Sequence, residues 1–224
     1  MNRLAENLWI KTYPLALLGT DLGRTLTIIR LSSGRLVLHS MAPFSPTDLA
    51  EIRTLGEPSW LVEAMMFHDT YARRGRDTFP GVPFLAPAGF NKVVAFATQP
   101  LLPAPPEWSE ELEVFAVAGV PRLNEHLVLH IPSRTLIVAD LLFNFASDEK
   151  GWDRFFHRYI AGIKRYPGVS RLFRFCIRDR AAFRTSMTAL LNAEFDRIIV
   201  GHGRVIERDG KALLRRALED VGLL

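Results

Sequence analysis

Cysteine is almost missing: Cys176 is the only one in 224 residues. A lone cysteine excludes an internal disulfide and every CxxC zinc or redox motif. It sets a reducing compartment as the expectation. No apolar run reaches the roughly 18 residues that a membrane-spanning helix needs. The opening stretch, MNRLAENLWIKTYPLALLGTDLG, is interrupted by Arg3, Glu6 and Lys11, so it lacks a signal-peptide core. The chain is expected to be cytoplasmic, unprocessed and without a membrane partner. Repeats and low-complexity tracts are absent too. Neither sign of charge dominates: the net charge of +4 allows an anionic partner but does not demand nucleic acid.

What is present is a set of short apolar runs with clear punctuation. Residues 7–15 (NLWIKTYPL) read as a strand, and residues 25–40 (TLTIIRLSSGRLVLHS) as a hairpin turning at Ser32-Ser33-Gly34. A helix follows over 45–56, with Ser45 as N-cap, Pro46 at the first position and Gly56 as the stop. Residues 59–66 (SWLVEAMM) read as a buried strand, residues 67–81 as a loop or short helix, and residues 82–87 and 92–97 as short strands. Residues 100–106 (PLLPAPP) are too rich in proline for a helix or a central strand, so an extended surface stretch is expected.

The second half repeats the logic. Residues 112–119 form a strand, and residues 126–144 (HLVLHIPSRTLIVADLLFN) a hairpin turning at Pro132-Ser133. Trp152, Phe155, Phe156, Tyr159, Ile160 and Ile163 recur at helical spacing, as do Phe183, Met187, Leu190 and Leu191. A strand (RIIVGHG, 197–203) and a closing helix (209–220) end the chain. Two β-rich halves, each with helices to cover it, point to two sheets between helical layers in one domain over residues 1–224.

Three apolar runs end in polar groups that bear chemistry. The first leads to His68 and Asp69, the second to Asp140 and then Asn144, the third to His202 between Gly201 and Gly203. Side chains at strand ends converge in α/β sheets. Asp140 interrupts the otherwise apolar run 136–143, so its carboxylate must be paired, hydrogen-bonded or bound to a cation. The plainer alternative is an aspartate bonded to loop amides. Flanking glycines let the chain turn tightly and present the His202 ring. His39, His126, His130 and His157 read as structural.

The run TLIVADLLF, followed some sixty residues later by RIIVGHGRVIERDGKALLRRALE, resembles the C-terminal half of the metallo-β-lactamase fold. Residues 6–15, 27–40 and 123–144 are similar to an uncharacterised branch of that superfamily. The resemblance implies a four-layer αβ/βα sandwich of the metallo-β-lactamase type. It sets Asp140 on the bridging aspartate and His202 on the last histidine. It places Glu63, Met65 and Phe67 on the first three positions of the His-x-His-x-Asp-His motif and His68 on the last. Val120 stands where another histidine is usual. The first metal site is thus expected to be lost. The second is expected to survive as His68, Asp140 and His202, with Asp69 as a further ligand.

The implied function is a hydrolase of unknown substrate with a reduced, mononuclear site. Its cofactor would be one divalent ion, zinc, iron or manganese, or none. The alternative is a non-catalytic member of the fold that binds a small molecule or a protein, since methionine, phenylalanine and valine cannot hold a hard ion. Glu125 reads as a solvated loop charge, or else as a hard ligand or general base. Asn144 orients a ligand or caps a helix. The segment Lys164–Arg184 carries Arg171, Arg174 and Arg178 among interleaved aromatics. It is expected to be a solvated helix face with its aromatics inward, with polyanion or RNA binding as the alternative.

Overall fold

Alternation along the strands builds the core of the computed structural model, which describes all residues 1–224. The N-terminal half contributes β1 (Asn2–Ala5), β2 (Leu8–Tyr13), a small hairpin of β3 (Ala16–Leu17) and β4 (Thr20–Asp21), β5 (Arg24–Arg30), β6 (Arg35–His39), β7 (Glu57–Val62), β8 (Phe84–Ala86) and β9 (Gln99–Pro100). Seven of these form one sheet in the order β1-β2-β5-β6-β7-β8-β9, antiparallel as far as β6 and parallel beyond it. The second sheet has β10 (Leu112–Ala116), β11 (His126–His130), β12 (Thr135–Ile137) and β13 (Arg197–Ile199). Its last pair, β12 and β13, is parallel.

Successive side chains of a strand point to opposite faces. On the second sheet Leu127, Leu129, Leu136, Val138, Ile198 and Val200 face outward, while Val128, Ile137 and Ile199 face the first sheet. On the first sheet Leu36, Leu38 and Leu61 face outward, while Val37, Trp60 and Val62 face inward. The inward sets share one cluster. The outer face of the first sheet packs on α1 (Pro46–Leu55), α2 (Ala72–Thr78) and α3 (Phe90–Val94). After α4 (Gly151–Phe155), the outer face of the second packs on α5 (Arg171–Cys176), α6 (Arg180–Asn192) and α7 (Gly210–Glu219). The result is the expected helix–sheet–sheet–helix sandwich. No helix is long and apolar enough to cross a membrane.

Local rules explain the punctuation. The Ser45 hydroxyl accepts from the Asp48 amide at 3.2 Å, and the Asp48 carboxylate accepts from the Ser45 amide at 2.9 Å, which closes a capping box on α1. Two expectations are corrected and one is refined. Residues 92–97 do not form a strand; α3 takes Lys92 to Val94, because a short apolar run looks the same in either state. The stretch 100–106 is not wholly superficial, since Leu101 is buried between the sheets. The segment after Gly151 is α4 followed by a π-helical turn, Phe156–Ile160. Of its apolar stripe only Phe156 and Ile163 are buried; Trp152, Phe155, Tyr159 and Ile160 face solvent.

Candidate metal centre

His68, Asp140 and His202 converge, with one ligand atom from each inside a 4.8 Å span. Asp140 and His202 are brought together by the parallel pair β12–β13. The Val138 amide donates to the Ile199 carbonyl at 2.9 Å, and the Gly201 amide to the Ala139 carbonyl at 3.3 Å, so the two chain ends run on side by side. His68 arrives from the other sheet, on the loop that leaves β7. That loop is pinned by the Met66 amide on the Leu123 carbonyl at 2.8 Å and by the His126 amide on the Ala64 carbonyl at 2.7 Å.

The glycines around His202 answer to close approach. A Cβ on Gly201 would lie 2.8 Å from the Ala139 carbonyl oxygen and 3.2 Å from the His68 ring. Gly203 has φ +102°, and a Cβ there would lie 2.3 Å from the Asn144 carbonyl oxygen.

Both imidazole Nε2 atoms aim at one oxygen. His68 Nε2 is 3.2 Å from Asp140 Oδ1, and His202 Nε2 is 3.3 Å from the same atom. A tetrahedral ion with bonds of about 2.0–2.1 Å holds its ligand atoms about 3.3 Å apart, so these two edges fit one. His202 carries a stronger sign. Its Nδ1 donates to the Gly23 carbonyl at 2.6 Å, which fixes the tautomer. In a neutral ring Nε2 then holds a lone pair, facing a carboxylate oxygen that also holds lone pairs. Two acceptors at 3.3 Å need a cation or a proton between them. His68 Nδ1 is buried and has no partner.

Electrostatics divide the trio. Burial, and then the positive charge of Arg24, lower His68 to about 3 against the pull of Asp140. Burial pushes the Asp140 carboxyl up, but a proton shared with His202 or His68, and the positive charge it brings, outweighs this and holds the group well below the usual carboxylate range.

The other candidates fall elsewhere. Asp69 is exposed and does not join the cluster. Glu125, expected to be a solvated charge, is fully buried. Its carboxylate accepts from the amides of Ala139 at 2.9 Å, Asp140 at 3.2 Å and Leu141 at 3.2 Å, so it is the floor of the turn that carries Asp140. Burial, and then the charge of Asp140, push its carboxyl up to about 8 against those three donors. No helix begins at Asn144. Its backbone oxygen accepts from the Arg204 amide at 2.6 Å and its side-chain amide donates to the Arg204 carbonyl at 2.8 Å, which clamps the loop after His202.

Glu63 is also fully buried. It meets Arg24 Nη2 at 2.6 Å and the Met41 amide at 2.7 Å. Burial pushes it up to about 7 although Arg24 opposes this. Met65 and Val120 are core residues, while Phe67 is exposed. Of the basic segment, Arg171, Arg178 and Arg184 are exposed and Arg174 half-buried. Phe173 and Phe183 point inward as expected, but Phe175 is 65% exposed. Arg178 lies over its ring at 5.5 Å.

The remaining histidines have local partners, such as Ser133 Oγ at 2.6 Å from His130 Nδ1 and Glu149 Oε2 at 2.9 Å from His157 Nδ1. Burial lowers His130 to about 4, and burial with the charge of Arg24 lowers His39 to about 3. A histidine depressed in the folded state is protonated first in the unfolded one. Stability is therefore expected to fall as pH drops below about 6.5, by about 1.4 kcal/mol per pH unit for each such histidine, and to level off at the folded values. Urea unfolding at pH 7, 6 and 5 reads this slope, and His130→Asn is expected to reduce it. An unchanged slope in that variant excludes His130 as a source.

No family profile matches the chain, and no curated protein does. Solved structures do. The metallo-β-lactamase from Hirschia baltica superposes with a TM-score of 0.65 at 14% identity, covering 97% of this chain and 95% of its own. DIM-1 metallo-β-lactamase gives 0.64 at 16%, covering 99% and 96%. FIM-1 from Pseudomonas aeruginosa, solved in a mono-zinc form, gives 0.62 at 14%, covering 97% and 93%. The chain has the metallo-β-lactamase fold.

Proposed function

We propose that the protein is a metal-dependent hydrolase that holds one divalent ion with His68, Asp140 and His202. The observation that carries this is the convergence of His68 Nε2 and His202 Nε2 on one Asp140 oxygen, at 3.2 and 3.3 Å, with the His202 ring locked in place by Gly23. Two histidines and a carboxylate suit zinc, iron or manganese, and a site with positions left open is the catalytic kind. When bound, the ion supplies a water of lowered pKa and polarises a carbonyl or phosphoryl oxygen of the substrate.

The chain's own residues do the rest. Glu125 holds the turn that fixes Asp140, Gly23 orients His202, and Asp140 draws both rings to one point. The site is read as mononuclear because Glu63 is tied to Arg24, and Met65 and Val120 are packed in the core. FIM-1, similar in fold, was solved with a single zinc.

Protein purified without chelator is expected to carry close to one equivalent of zinc, iron or manganese. Asp140→Asn or His202→Ala is expected to weaken retention by more than the roughly 10–100-fold typical of losing an outer partner. Elemental analysis with a thermal-shift titration of each metal checks both. Metal-free protein with no shift on any addition overturns the reading. It would favour the alternative, a non-catalytic binder, which Met65 and Val120 at former ligand positions support.

A further inference from the structure

Eight of the twelve exposed large hydrophobic side chains lie on three short segments: Leu17 and Leu18, Trp152 to Ile160, and Leu172 with Phe175. These segments are neighbours in space. Trp152 Nε1 donates to the Leu18 carbonyl at 2.9 Å, and Thr20 Oγ1 to Asp153 Oδ1 at 2.5 Å, which joins the β3–β4 hairpin to α4. Between them opens a cleft of about 430 Å³, whose walls include Leu22, Phe143, Phe156, Ile160, Leu172 and Phe175. Asp140 and His202 line the same cleft.

A row of rings runs from His202 into this wall. Phe143 stacks on His202 at 5.6 Å, Phe145 lies 5.9 Å from Phe143, and His157 stacks on Phe145 at 3.7 Å. His157 is 1% exposed and lines the cleft. Its Nδ1 is bonded to the Glu149 carboxylate, so in the neutral ring Nε2 is an acceptor, and Nε2 has no partner. Arg171 is the only lysine or arginine in the wall. An apolar trough of ligand size with a few polar groups is a small-molecule site in form.

We infer that this cleft binds a small amphiphile, one alkyl or acyl chain lying along Phe143, Phe156, Ile160, Leu172 and Phe175 with its polar end at Asp140 and His202. This rests on the hydrolase reading for the site and names its substrate class: an ester or amide bond at the polar end of the chain breaks, water's hydroxyl oxygen going to the acyl carbon and its proton to the departing alcohol or amine. The head carries a hydroxyl or amide N–H for His157 and tolerates an anionic group near Arg171. A solvent-facing apolar stripe beside a polar centre has a use here that a core stripe would not.

The experiment is calorimetric titration of the chelator-stripped full chain with N-octanoyl-, N-decanoyl- and N-dodecanoylglycine, each below its micelle concentration. Stripping the metal separates this test from the metal reading. One-to-one binding is expected, tightening about fifteenfold for each two methylenes added. Leu172→Glu and Phe175→Glu are expected to weaken it at least tenfold. Both side chains are exposed, so folding is not at stake, and a thermal melt verifies that. Absence of binding, binding without chain-length dependence, or binding only to phosphatidylglycerol vesicles overturns the inference. If metal is retained while the amphiphiles fail, the hydrolase reading stands without it; the converse leaves a ligand site on a non-catalytic protein.

Discussion

Glu125→Ala is expected to lower the unfolding free energy by about 3–5 kcal/mol, the range for removing one partner of a buried charged network. Three backbone amides lose their only acceptor at once: Ala139, Asp140 and Leu141. Each buried amide left without a partner costs about 1–3 kcal/mol, and a water admitted to the cavity recovers part of the sum. Glu125→Gln keeps one acceptor oxygen and turns a donor toward an amide, so a smaller loss of about 1–3 kcal/mol is expected. The same variants are expected to release metal, because the turn that loses its floor is the one that carries Asp140. Urea midpoints at unchanged m-value check the first part. A loss under about 1 kcal/mol for the alanine variant would mean that the turn holds itself up by other means.

Arg24→Met is the second large effect. Arg24 Nη2 and the Glu63 carboxylate meet at 2.6 Å, and both side chains are almost wholly out of solvent. Removing the guanidinium leaves a buried carboxylate with the Met41 amide alone, and about 3–5 kcal/mol is expected to be lost. Glu63→Met strands the opposite charge and is expected to cost a similar amount. The double substitution removes both charges and is expected to stand close to the original stability, since well-packed apolar side chains often replace a buried pair without loss. The resulting non-additivity, about 6–10 kcal/mol from those figures, is the quantity to measure, and it stands above the roughly 0.5–3 kcal/mol of ordinary contacting pairs. Additive single effects would show that the two groups do not depend on each other.

The layers were legible because the strands alternate cleanly. Leu127, Val128 and Leu129 alone assign three side chains to two faces. The capping box at Ser45 was legible because it is a contact within four residues. His202 was legible for a similar reason, since Gly203 is required by its conformation and Gly201 by the backbone packed against it. Glu125 was not. Its burial depends on a turn 14 to 16 residues later folding back over it, and nothing near 125 announces that. The pairing of Arg24 with Glu63 spans 39 residues and is hidden in the same way. The aromatic stripe from Trp152 to Ile160 was legible only as a helical face. Helical spacing identifies a face, not what covers it, and here the face lines the approach to a cleft.

The loop that bears His202 belongs to one sheet but is sewn to the other. The Thr25 amide donates to the Gly201 carbonyl at 3.0 Å, and the His202 ring is tied to Gly23. Neither stitch needs an ion, and the Thr25–Gly201 one, backbone to backbone, survives substitution of the side chains around it. A zinc finger comes apart without its metal because the metal is its seam. In this protein the seam is peptide, and the scaffold is free to outlive whatever it holds.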